Sequence, residues 1–338
     1  MGIVVFMDSP KTLLEAIQYF SDEQVCINTV AEMRWADGKP KCPDCWTKEP
    51  YYIKTQKRWK CRECRRQFSV KVGTIFEDSP ISLTKWLPAL WLLSNCKNGI
   101  SSYEIARDLG VTQKTGWFML QRLRLVLKEI NMGTKFGSND GGEVEVDEAF
   151  IGGKLKNMHR KRANALNKVK MGAGYATSVK HENKTAVVGI LDRESRRVRA
   201  QVIPDVKRET LQTQILDNVK FGSSVYTDQA VAYDTLHRRY IHETVNHVET
   251  YVRGRVHTNG LENFWSLLKR NLAGTYVAVE PFHLDRYLDE QMFRFNNRAT
   301  KDNPLNDSDR FMLALSQVAN RRLTYAELTG KVGERAAF

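Results

Sequence analysis

Two cysteine pairs constrain this chain more than any other feature. Cys42-Pro43-Asp44-Cys45 is followed, after fifteen intervening residues, by Cys61-Arg62-Glu63-Cys64. Each Cys-x2-Cys step folds as a tight knuckle, and four thiolates at this spacing close a tetrahedral structural zinc site. The stretch Tyr51–Cys61 between the knuckles alternates like ribbon strands. So small a module has too little apolar surface to fold unaided, and the metal contributes directly to its folding. Two unrelated pairs, or a redox pair, are the competing readings, and the matched spacing disfavours both. Cys42, Cys45, Cys61 and Cys64 are therefore the expected ligands of one Zn2+ in a ribbon spanning residues 39–80. Cys26 and Cys96 sit in partly apolar surroundings and read as buried thiols. Thiols kept for metal imply a reducing compartment, the cytoplasm.

The same module is basic. Lys54, Lys57, Arg58, Lys60, Arg62, Arg65, Arg66 and Lys71 stand against Glu63, with Trp59 and Phe68 interleaved. Clustered cations with aromatics on a zinc module point to phosphates, with Lys57, Arg58, Arg65 and Arg66 as candidate contacts. The whole chain agrees. Over 338 residues the net charge is +13 and the isoelectric point near 9.4, which calls for a polyanionic partner, nucleic acid ahead of membrane. No run approaches the roughly 20 apolar residues of a membrane span. The opening MGIVVFMDSP has no basic region ahead of its short apolar run, and Phe6 breaks the myristoylation pattern after Gly2. A cytoplasmic, nucleoid-associated protein of two or three domains is expected.

Residues 1–38 form an N-terminal arm with two short helical segments, TLLEAIQYF and one around TVAEMRW. After the ribbon, ISLTKWLPALWLLSNC is a strongly apolar helix that Pro88 should distort. Ser101 and Ser102 can cap a second helix with Glu104 in its first turn, ending at Gly110. A third begins near Gln113 and buries Trp117, Leu120, Leu123, Leu127 and Ile130. A short helix, a Gly-containing turn and a helix with a polar leading face is helix-turn-helix grammar, though a plain helical hairpin has the same outline. Gln113, Lys114 and Thr115 would meet bases and phosphates. This region spans 81–135, and the Gly-rich stretch 131–142 leads out of it.

Glu143 to Phe150 alternates as a strand with Glu143, Glu145 and Asp147 on one face. Asp is disfavoured in mid-strand, so Asp147 needs a reason. Gly152-Gly153-Lys154 turns the chain, and Lys154 to Lys170 holds seven Lys or Arg, His159 and no acid. That segment is either a loop that closes on DNA, through Lys154, Arg160 and Lys161, or a solvated insert. Strands follow at 185–192 and 196–204, a helix at 208–219, a strand at 223–228 ending in Asp228, a helix at 229–240 and a strand at 242–248. The stretch 256–270 is an amphipathic helix. Leu261, Phe264, Trp265, Leu268 and Leu272 form its buried stripe, while Glu262, Ser266 and Lys269 share another face. Beyond Pro281 a helix should pack Tyr287, Met292, Phe293 and Phe295 on the sheet, with Arg294 and Arg298 either facing DNA or, the preferred reading, paired to nearby acids. FMLALSQVANRRL is a further helix in a tail of residues 301–338.

Four segments together carry a family resemblance: VDEAFIGGK (146–154), VYTD (225–228), HTNGLENFWSLLKR (257–270) and HLDRYLDEQMFRFNNR (283–298). With the ribbon, they make the chain resemble the DDE insertion-sequence transposases, in particular the zinc-ribbon branch related to the Merlin transposons. The resemblance implies an α/β protein, with a ribonuclease-H-like mixed-sheet catalytic domain over 136–300 preceded by the zinc ribbon and the helix-turn-helix. It implies that Asp147, Asp228 and Glu262 bind two Mg2+ or Mn2+ ions, with Asn259, one helical turn earlier, as runner-up third ligand. It implies that Lys269 holds a phosphate near the cut, next to Arg270. His257 is either an assistant or a turn histidine. The expected activity is strand cleavage and transfer on terminal inverted repeats and target DNA, by a homodimer or higher oligomer. A non-catalytic DNA-binding regulator and a structure-selective nuclease are the alternatives.

Overall fold

The computed structural model describes residues 10–47, 49–128, 134–152, 184–228, 231–245, 257–301 and 303–330. The basic segment with Lys154, Arg160 and Lys161 lies outside them. The chain divides into two units, residues 1–129 with 297–338, and residues 130–296.

In the first unit, side-chain caps decide where helices begin. Thr12 accepts from the Glu15 amide and opens α1, Leu13–Tyr19. Asp22 accepts from the Gln24 amide at 2.7 Å and opens α2, Glu23–Arg34, well upstream of the TVAEMRW segment expected from pattern alone. The ribbon follows as three antiparallel strands in sequence order: β1 Tyr51–Ile53, β2 Arg58–Lys60 and β3 Gln67–Phe68. α3, Leu83–Asn95, runs through Pro88. α4, Ser102–Leu109, opens on the Ser101/Glu104 capping box, and α5 is Gln113–Leu127. Two further helices, Asp307–Leu315 and Tyr325–Leu328, belong to this unit. The first starts ahead of the expected FMLAL segment because Asn306 and Asp309 form a capping box. Phe311 stands 5.4 Å from Phe20 and 5.2 Å from Trp91, ring to ring, joining the two ends of the unit in one core.

The second unit is a five-stranded mixed sheet with helices on both faces. Its strands are β4 Glu143–Ile151, β5 Thr185–Asp192, β6 Arg197–Ile203, β7 Ser224–Asp228 and β8 Ile241–Val245, in the order β6-β5-β4-β7-β8. β5 runs antiparallel to both neighbours, while β4, β7 and β8 are parallel. Strand parity separates two cores. Val144 and Val146 face one way and pack with Leu211 and Ile215 of α6, Arg208–Asn218. Ala149 faces the other way, toward Leu261, Phe264, Trp265 and Leu268 of α7, Asn259–Asn271, and Leu284 and Leu288 of α8, Leu284–Asn296. Burying those four α7 side chains contributes on the order of 6–12 kcal/mol of transfer free energy, before chain entropy is counted.

Two local expectations need correction. Residues 229–240 were expected to be helical, but the described part makes two 3-10 turns, Val231–Tyr233 and Leu236–Arg238. Tyr233 and Leu236 are buried there, and their spacing of three suits a 3-10 turn as well as an α-helix. The helix after Pro281 begins with a 3-10 turn, Pro281–His283, before α8. Within α8, Arg294 is paired with buried Glu290, the acid-pairing role expected of it.

Candidate active site

The ribbon brings its four cysteines together. Their sulfur atoms all lie within 4.8 Å of one another, with Cys42–Cys64 and Cys45–Cys61 each at 3.5 Å. Cys42 and Cys61 are buried, Cys45 and Cys64 exposed. Burial raises the Cys42 thiol, but amides of Cys45 and Asp44 donate toward it, and the net result is a pKa of about 7. Cys45 is pushed up to about 12, where the Thr47 amide is outweighed by burial and by hydrogen bonding to its sister thiols. Four thiols in this array do not ionise together without a cation, which is the donor chemistry of a structural zinc.

Around this array, cations and aromatics part company. Trp59 and Phe68 are buried, packing with Trp35 and Tyr52, so they form the module's core and face no ligand. Lys57, Arg58, Arg65 and Arg66 are exposed. Lys57 pairs with Glu23 at 2.5 Å, and Arg66 pairs with Asp44. At the start of α5, Gln113 donates to Ser102 at 2.9 Å, and Thr115 bonds the Thr112 cap at 2.8 Å. Lys114 is exposed, with its ammonium over the Tyr325 ring.

In the second unit, two of the predicted acids stand on neighbouring strands. Glu143 pairs with Ser224 and Glu145 with Tyr226 across the parallel β4–β7 ladder. Asp147 and Asp228 each lie two residues beyond that pairing, Asp228 at the carboxyl end of β7. Parity turns both toward the face that α7 covers. Glu262 is exposed on the first turns of that helix. All three are within electrostatic reach. Burial raises the Asp147 carboxyl first, the Glu148 amide lowers it, the Asp228 charge raises it, the Trp265 N–H lowers it and the Glu262 charge raises it again, ending at about 6. Among the described residues, the four cysteines are the one group of three or more His, Cys, Asp or Glu side chains placed to hold a metal ion. Asn259 is exposed at the first residue of α7, while Lys269 and Arg270 are exposed in its last turn.

Several residues that build this site carry no obvious signal in the sequence. Buried Glu145 accepts from the Leu261 amide at 3.1 Å, so a strand carboxylate caps the start of α7. Its other oxygen accepts from Arg193 at 2.8 Å, and Arg193 also reaches Glu143 at 3.3 Å. The same guanidinium contacts His257 Nδ1 at 2.9 Å and donates to the His257 carbonyl at 2.6 Å, so this histidine serves the turn before α7. Trp265 donates from Nε1 to Asp147 Oδ2 at 3.0 Å. Close approach explains two glycines. A β carbon on Gly189 would stand 2.5 Å from the Trp265 ring, and one on Gly260 2.8 Å from Glu145 Oε2. On the opposite face, Tyr233 donates to Glu148, whose carboxyl burial pushes up to about 7, with the charges of Asp228 and Asp147 adding to the rise. Strand alternation marked Glu145, but nothing local marked Arg193, since its partners lie about fifty positions upstream.

These features define a class: a thiolate-ribbon module joined in one chain to an α/β unit with acids meeting beside parallel strands. Comparison with known proteins gives the class its family. Residues 141–296 match the ISXO2-like transposase domain, and residues 21–67 match the transposase zinc-ribbon domain. A protein in transposable element ISH50 of Halobacterium salinarum is 27% identical over 281 residues, covering 80% of this chain and 90% of that one. A transposase-like protein of Haemophilus influenzae is 35% identical over 106 residues, 31% of this chain and 85% of its own length. The chain belongs to the ISXO2-like transposase family. Among the described residues, no helix is long and apolar enough to cross a membrane.

Proposed function

We propose that the protein is a DNA transposase that binds terminal inverted repeats and catalyses metal-dependent strand cleavage and strand transfer. One arrangement carries this: Asp147 on β4 and Asp228 at the end of the neighbouring parallel β7 both face α7, which bears Glu262 on its first turns. Carboxylates are the hard oxygen donors that Mg2+ and Mn2+ take. Like charges gathered around a largely buried carboxyl are the repulsion that a cation relieves. Asp147, Asp228 and Glu262 would hold the ions. Bound there, the ions would supply an activated oxygen nucleophile and stabilise the leaving oxygen. Lys269, about 10 Å beyond Glu262 along the helix, holds a phosphate, and Arg270 adds charge beside it. Water attacks the phosphodiester at the element end and frees a 3′-hydroxyl, which then attacks target DNA in line.

The finer assignments belong to the same reading. A sheet in which only the second strand is reversed supports a ribonuclease-H-like domain. α4 and α5 form a helix-turn-helix over 81–135, with Lys114 outward, and together with the exposed ribbon cations Lys57, Arg58, Arg65 and Arg66 it reads the repeats. The protein acts in the cytoplasm on the nucleoid, as a homodimer or higher oligomer joining two ends, and stands in the branch related to Merlin. The test is a labelled terminal-repeat duplex with Mg2+. Glu262→Gln should lower cleavage by more than the roughly 10–100-fold typical of outer-shell changes, with DNA binding retained. Binding without any nicking by wild type would favour a regulator, and nicking without joining a nuclease. A lethal Asn259→Ala beside a tolerated Glu262→Gln would move the third ligand one turn back.

A further inference from the structure

The stripe residues of α7 are apolar in character, but one of them has a polar tip directed at an acid of the site. Trp265 is 4% exposed, and its Nε1–H donates to Asp147 Oδ2 at 3.0 Å. The ring has little freedom. Gly189, the register partner of Asp147 on β5, leaves the gap it occupies, for a β carbon there would come within 2.5 Å of Cζ2 and 2.9 Å of Cη2. Phe264 abuts it edge-on at 5.1 Å between ring centres. An indole has one donor and no acceptor, so unlike an amide or hydroxyl it cannot turn over to present a different group. Asp147 is therefore held by a donor of fixed position and fixed polarity.

We propose that Trp265 is a positioning residue for Asp147, committing one carboxylate oxygen to the protein so that the other is presented to a divalent cation. The inference rests on the reading of Asp147 as a metal ligand. Packing alone would have been served by Phe or Leu, as at the other stripe positions of α7. Outer-shell donors of this kind typically change metal affinity by about 10–100-fold when removed. The indole also joins the third acid to the first, because Trp265 and Glu262 share a helix. A displacement of α7 thus reaches Asp147 through this hydrogen bond as well as through the position of Glu262.

The experiment measures Mn2+ binding to the full-length protein by electron paramagnetic resonance, together with the Mg2+ concentration that half-saturates cleavage. Trp265→Phe keeps an aromatic ring and removes the donor. Leu288→Val on α8 removes volume from the same core and serves as the packing control. The expected result is Mn2+ binding weakened about tenfold or more in Trp265→Phe, near wild-type binding in Leu288→Val, and a matching rise in the half-saturating Mg2+. Equal losses in the two variants, or no loss in Trp265→Phe, overturn the proposal. A tryptophan analogue with sulfur in place of N–H keeps the shape and removes only the donor, and carries the same test if Phe proves too small for the fold. Asp147→Asn distinguishes the underlying reading: Mn2+ binding unchanged in that variant overturns the metal site itself, and this inference with it.

Discussion

Replacing Asp147 by Asn should make the divalent-free protein more stable at neutral pH, although it removes a central acid of the site. In the folded chain this carboxyl has a pKa of about 6 against an ordinary 3.8. The folded state holds the proton more tightly than the unfolded state, so stability falls as pH rises from 3.8 through 6, and the full cost is present above that window. A rise of about two units corresponds to about 3 kcal/mol. Partial solvent access and relaxation around the site reduce this, and a gain of about 1–3 kcal/mol is expected for the neutral variant. Asn keeps the shape and still accepts from Trp265 through its amide oxygen, so little packing is lost. The measurement is urea-dependent hydrogen exchange of peptides covering 143–151, at about pH 4 and pH 7.5. Buffers should contain neither added divalent ions nor chelator, so that the ribbon keeps its zinc. The gain should appear at the higher pH and vanish at the lower. An equal gain at both pH values would point to packing, and a loss at pH 7.5 would refute the argument that burial, with the neighbouring acids, raises this carboxyl.

Two further substitutions test the elements on either side of this reasoning. Gly189→Ala sets a β carbon 2.5 Å from the Trp265 ring, so the indole or α7 must move; overpacking of this kind costs about 1–3 kcal/mol. Unchanged exchange protection together with unchanged cleavage would contradict the contact. Cys45→Ser removes one of the four gathered thiolates and should empty the ribbon of zinc and weaken binding to element ends. Metal content by mass spectrometry decides the point, and a variant that keeps one zinc per chain sinks the ribbon assignment.

What could be read from the sequence was local. Four cysteines within 23 residues define a module before any distant contact is known, and strand alternation from Glu143 identified the shared face of Glu143, Glu145 and Asp147. The different fates of those acids could not be read. Glu143 and Glu145 meet Arg193, a turn residue far downstream, while Asp147 meets Trp265 at a separation of 118 positions. Alternation was also misread in the ribbon. Interleaved cations and aromatics suggested one surface for phosphates, whereas a period of two on a small sheet sends Trp59 and Phe68 into the core and leaves the cations outside. Residues 229–240 failed for a related reason, since a spacing of three does not separate an α-helix from successive 3-10 turns.

The acids differ in how the fold fixes them, and this decides where the site is vulnerable. Asp147 and Asp228 stand on neighbouring strands, each two residues beyond the paired stretch Glu143–Ser224 to Glu145–Tyr226. Glu262 sits on α7 instead, and its place depends on how that helix docks. Beside the apolar core of Leu261, Phe264, Trp265 and Leu268, that docking uses the Leu261 amide on Glu145, Arg193 holding Glu145 and the His257 carbonyl, and the close approach allowed by Gly260 and Gly189. Losing the Glu145 carboxylate would leave the start of α7 without its cap and Arg193 without one of its two carboxylate partners, costs that fall on the helix before they reach the sheet. Reactions that need groups held to within about half an ångström respond to such shifts even when the fold survives. Substitutions at Glu145, Arg193 or Gly260 should therefore act on the position of Glu262 while Asp147 and Asp228 keep their places on the sheet.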